Sequence, residues 1–115
     1  MRFLFLIHGD TEGEAAMTSD DRRAMVDEYM AYSQMLRERG AYIHGEALAG
    51  PDDAAVVRPG AEPLVTDGPF AETKEGLGGF YVIECASRGE ALELAALVPR
   101  SPGVAVELLP IADLS

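Results

Sequence analysis

Several kinds of residue are scarce in this sequence, and each scarcity removes a class of protein. There is one cysteine, no tryptophan, two histidines, and nine basic residues against twenty acidic ones. Cys85 cannot close an intramolecular disulfide, so nothing asks for an oxidising compartment, and in its apolar stretch it reads as a small buried hydrophobe. A formal charge of −11 repels phosphate backbones and anionic lipid, so neither nucleic acid nor a membrane surface is an expected partner. The field of the whole chain does not forbid a local anion site, for which Arg22, Arg23, Arg37, Arg39, Arg58, Lys74 and Arg88 remain available. The apolar run Phe3 to Ile7 is too short for a signal-peptide core or a bilayer span, which makes the cytoplasm the expected location. No zinc spacing, P-loop, dinucleotide fingerprint, nucleophile elbow or EF-hand loop is found, so neither a metal nor a cofactor is expected.

What remains is a chain of 115 residues, 48% hydrophobic and 25% charged, ordinary for one globular domain with a core of its own. Residues 2–8 place Phe3, Phe5 and Ile7 on one side and Leu4 and Leu6 on the other, an interior strand apolar on both faces. Residues 9–17 are polar, carry Gly13, and read as a loop. Thr18 with Asp21 three residues on has capping spacing, and Met25, Tyr29, Tyr32 and Leu36, with Val26 and Met30 beside them, predict an amphipathic helix stopped by Gly40. Residues 42–48 and 54–58 are strand-like, and the turn chemistry of Gly50 to Asp53 between them predicts a hairpin. A third extended piece, residues 63–66, leads into Asp67-Gly68-Pro69-Phe70. Residues 78–85 read as a second interior strand. Ser87 and Glu90 open a second helix whose stripe is Ala91, Leu94, Ala95 and Val98, and residues 104–109 form a last strand.

The order is that of a split β-α-β: an α+β, ferredoxin-like fold with an antiparallel sheet, two helices on one face and an added arm in the middle. Two helices cover one face only. The apolar residues of the other face need a cover, and a second copy in two-fold symmetry supplies it, so a homodimer packed sheet against sheet is expected.

Chemistry concentrates at Asp67, Gly68, Pro69, Phe70, Glu72, Lys74 and Glu75, where carboxylates, a cation and an aromatic ring surround a rigid turn. Asp67 can cap its own turn, Pro69 stiffens it and Phe70 can anchor it, which gives the motif a structural explanation. Glu72, Lys74 and Glu75 are not needed for a turn, and a carboxylate beside an ammonium can move protons or hold a polar ligand. His8, at the end of the first strand beside Gly9 and Asp10, is placed to face a cleft as an acid or base; the alternative is a half-buried, hydrogen-bonded histidine without chemistry. For His44 the second reading is the stronger. The candidate catalytic residues are therefore Asp67, Glu72, Lys74 and His8, with Arg58, Phe70, Glu75 and Tyr81 as ligand-binding neighbours.

The stretch Thr-Asp-Gly-Pro-Phe-Ala-Glu-Thr-Lys-Glu at 66–75, followed by Leu-Gly-Gly-Phe-Tyr-Val-Ile-Glu at 77–84, resembles the signature of the DGPF subgroup of YCII-related proteins. The resemblance implies a ferredoxin-like domain assembled as a dimeric α+β barrel, found mainly in bacteria and often encoded near extracytoplasmic-function sigma factors. Its biochemical role is not established. Some members of the wider group carry a His and Asp proposed as a catalytic pair, with the His in the first helix; no histidine lies between Thr18 and Arg39 here, so that pair does not carry over. Two functions follow as expectations: a metal-independent enzyme or binding protein for a small polar or anionic ligand, or a non-catalytic sensor linked to a sigma factor.

Overall fold

The computed structural model describes residues 1–69 and 75–115. Its elements run β1 (Arg2–Asp10), α1 (Thr11–Ala15), α2 (Ser19–Glu38), β2 (Tyr42–Ala47), β3 (Ala55–Arg58), β4 (Leu64–Asp67), β5 (Glu75–Glu84), α3 (Arg88–Ala96) and β6 (Ala105–Pro110). Four strands make one antiparallel sheet in the order β2-β5-β1-β6, while β3 and β4, among the described residues, pair only with each other. The fold is ferredoxin-like α+β, and the sheet is open, not a closed barrel.

The strand alternation sorts the side chains as the pleat requires. Phe3, Phe5 and Ile7 of β1 and Tyr81 and Ile83 of β5 are buried together with Tyr32 and Leu36 of α2 and Ala91 and Leu94 of α3. Both long helices thus cover the same face. Leu4, Leu6, Phe80 and Val82 point the other way and are only half-buried, with Leu77 and Leu109 exposed beside them. That open face carries both histidines. His8 Nε2 lies 3.1 Å from Glu107 Oε1, and the His44 ring stands 5.8 Å from that of Phe80.

The helix ends follow from the sequence. The Thr18 hydroxyl accepts from the Asp21 N–H while the Asp21 carboxylate accepts from the Thr18 N–H, a complete capping box. Gly40, at φ +70, takes the left-handed conformation after the last turn of α2. Ser87 caps α3, but Glu90 reaches one residue past it, to the Ala86 N–H. Cys85 is buried, its Sγ 3.3 Å from the Ser87 carbonyl.

Three expectations change. Residues 9–17 are not a loop: β1 continues to Asp10, whose carboxylate accepts from the Glu12 N–H and starts α1, a third, short helix. Strands β2 and β3 do not form a hairpin. The β2 strand adds to the sheet edge along β5, through His44↔Val82 to Ala47↔Gly79, and β3 turns instead onto β4, through Ala55↔Asp67 to Arg58↔Leu64. Finally, Val26 and Met30 are not core residues, with 53% and 66% of their surface exposed.

Candidate functional site

Between α2 and the β2–β5 edge lies a cleft of about 710 Å³, on the helix-covered side of the sheet. It exists because the sheet is thin there. On β2 and β5, where neighbouring strands would send large side chains toward a helix, Gly45 and Gly79 present bare backbone. Neither glycine is replaceable without displacement. A Cβ on Gly45 would stand 2.6 Å from the Tyr81 ring, and one on Gly79 would stand 2.9 Å from the Glu46 carbonyl oxygen. The floor is therefore glycine and the face of Tyr81. Met25, Val26 and Met30 of α2 and Leu48 beyond β2 form apolar walls.

The polar groups come chiefly from one line of α2. Tyr29, Ser33 and Arg37 recur every four residues and so share a face, and all three line the cleft. Across from them the Tyr81 hydroxyl meets Ser33 Oγ at 2.7 Å. Two hydroxyls hold two protons, and one proton closes the bond between them, so the pair keeps one O–H free for a third group. Ser101 lines the same cleft as Tyr29 and acts to lower the pKa of its phenol. Arg37 lies with its guanidinium 4.2 Å from the centre of the Tyr42 ring.

Burial holds the phenols in their neutral, donating form. It pushes the Tyr29 pKa up, with Tyr81 adding to the rise and Ser101 opposing it. Burial likewise raises Tyr81, against the Ser33 hydrogen bond and the positive charge of Arg37, which both act to lower it. Tyr32, further in, is raised most, by burial and then by Tyr81 and Tyr29; its hydroxyl donates to the Leu94 carbonyl at 2.7 Å. All four tyrosines of the chain thus gather around α2, with Tyr81 edge-on to both Tyr32 and Tyr42 at 5.3 and 6.2 Å.

Of the residues singled out in the sequence, Tyr81 stands in the cleft and His8 borders it, with its imidazole turned to Glu107. Asp67 and Arg58 lie elsewhere, exposed at the ends of β4 and β3 in the separate hairpin. Glu75 opens β5, its backbone paired with Asp10. Phe70, Glu72 and Lys74 lie outside the described residues. Gly68, at φ +93, shows why the Asp-Gly-Pro turn needs glycine, and its N–H donates to the Ala54 carbonyl at 2.7 Å. Tyr29 and Ser33 were missed as site residues, and Arg37 was named only as one of seven cations open to an anion. Their spacing of four along the helix was the available signal. No cluster of three or more metal-ligating side chains occurs among the described residues, and no described helix is long and apolar enough to cross a membrane.

An uncharacterised protein of Rhizobium meliloti (strain 1021) is 36% identical over 96 residues, spanning 83% of this chain and 77% of the relative. The family model for the YCII-related domain matches residues 1–114. The chain therefore belongs to the YCII-related family.

Proposed function

We propose that this protein binds a small organic molecule in the cleft beneath α2, as a bacterial member of the DGPF subgroup. The observation that carries this reading is the cleft itself: a concavity of about 710 Å³ with apolar walls, a glycine floor and a few converging hydroxyl donors, the usual constitution of a ligand site. The test is a thermal-shift screen of a broad metabolite set against the wild type and Ala47→Trp. Ala47 is exposed, lies opposite Gly79 and lines the cleft, so an indole there fills the space from an edge strand that tolerates it. Compounds that stabilise the wild type are expected to lose at least tenfold in affinity for the variant. Equal response of the variant, or no response of the wild type to any compound, overturns the reading.

The open face supports a second part of the proposal, a homodimer closed sheet against sheet into an α+β barrel. Leu4, Leu6, Phe80, Val82 and Leu109 share one face of three adjacent strands, an apolar strip with no helix over it. Light scattering should give twice the chain mass at micromolar concentration, and Leu6→Asp, which places a charge at the centre of the strip, should give one. A wild type with the mass of one chain ends this part of the proposal and leaves the cleft untouched.

A further inference from the structure

Arg37 is the feature of the cleft that a general binding role leaves unexplained. Twenty acidic residues surround nine basic ones in this chain, yet Arg37 has no carboxylate within ion-pair distance among the described residues. Its guanidinium carbon instead stands 4.2 Å from the centre of the Tyr42 ring, and among the described residues no hydrogen bond engages its N–H groups. One helical turn before it, Ser33 with Tyr81 keeps one free O–H. A fork of N–H donors and an O–H donor, one turn apart on the same helix face, is the recognition set of an oxyanion.

From this arrangement, and resting on the reading of the cleft as a ligand site, we infer that the ligand is an organic acid: a single carboxylate held by Arg37 and the Ser33–Tyr81 pair, with an apolar body running along α2 toward Met25. The size of the charge decides the class. One cation can match one negative charge, whereas a phosphate ester near −2 would face Glu14 and Glu46, which also border the cleft, within an overall field of −11. Length fits as well. Met25 to Arg37 spans about 18 Å of helix, room for an aryl or acyl body behind the carboxylate. Methionines at positions 25 and 30 give that wall side chains that adapt to irregular apolar shapes.

Three probes separate the possibilities: 4-phenylbutyrate, its primary amide and 4-phenylbutylamine, titrated into 15N-labelled protein with backbone amide shifts read at Ser33, Gly45 and Gly79. The acid is expected to bind about tenfold more tightly than the amide, because a charge-assisted bond at an exposed guanidinium is worth on the order of a factor of ten. The amine should bind most weakly. Arg37→Gln should remove the advantage of the acid while leaving the amide unchanged, and Arg37→Lys, which keeps the charge without the fork, should restore part of it. Added salt should weaken the acid alone. If acid and amide bind the cleft equally, or Arg37→Gln leaves the acid unaffected, the ligand class is wrong and the cleft stands. If none of the three moves the amides of the cleft, the site reading fails with it.

Discussion

Phe5→Ala is expected to lose about 3–5 kcal/mol of stability, with a fall in Tm on the order of 10–20 °C. Phe5 has no exposed surface and sits on a central strand, opposite Tyr81 of β5 and Leu108 of β6. Leu36 and Leu94, both fully buried, come from different helices into the same core. Neither helix can follow a truncated side chain without leaving its other contacts, so a cavity persists and adds to the lost transfer free energy. Against a total of about 5–15 kcal/mol for a typical domain, that loss leaves little. Val26→Ala, 53% exposed on α2, should change stability by under about 1 kcal/mol. Urea unfolding of the two variants checks both figures, and comparable midpoints would mean that the core is not where the structure puts it.

The second large effect is an alkaline collapse. Tyr29, Tyr32 and Tyr81 all hold their protons more tightly in the folded chain than a free phenol does, burial being the largest cause in each. Below pH 10, the value of an unshifted phenol, folded and unfolded chains carry the same phenolic protons, and stability stands at its full value. Above it the unfolded chain sheds protons that the folded chain keeps. The unfolded state then binds fewer protons, and the free energy of unfolding falls with each further rise in pH until the folded phenols ionise in turn. One unfolding event frees all three phenols together, so the loss should be steep. Phenolate absorbance is expected to lag behind a free-tyrosine curve and then rise together with the loss of far-ultraviolet circular dichroism. A smooth rise centred on the free-phenol value, with secondary structure intact, would show that these rings are not buried.

The fold was legible where a local signal and its structural consequence coincide. The capping box at Thr18 and Asp21, the left-handed stop at Gly40 and the alternation of Phe3, Phe5 and Ile7 each act within a few residues, and each stands where the sequence puts it. Strand partnership is not local. The turn residues Gly50 to Asp53 mark a change of direction but carry nothing about which edge the next strand finds, and β2 pairs with β5, some forty residues away, instead of with β3. The cleft was harder still. Periodicity places Tyr29 in the apolar stripe of α2 and gives Arg37 a role at the helix end, which is sound for a helix lying flat on a sheet. Gly45 and Gly79 remove the side chains that such a helix would rest on, and the same residues then line a cavity. Reading that from sequence requires knowing that two glycines some thirty residues apart in the chain lie diagonally across two paired strands, Gly45 opposite Tyr81 and Gly79 opposite Ala47. The segment around Asp67, conspicuous for its charges, stands partly in a hairpin apart from the cleft and partly outside the described residues.

The placement of β1 between β5 and β6 also bears on how the chain acquires its shape. β1 finds both of its partners beyond residue 74, with an arm and a 20-residue helix emerging between it and either of them. Until residues 75–84 are made, Phe3, Phe5 and Ile7 have no strand to pair with, and α2 has no floor to pack on. Such long-range closure is slow, because chain entropy is spent before the contacts that repay it can form. Assembly should therefore wait until β5 and β6 have emerged and then occur in one cooperative event, with an apolar strand exposed during elongation and in need of chaperone protection.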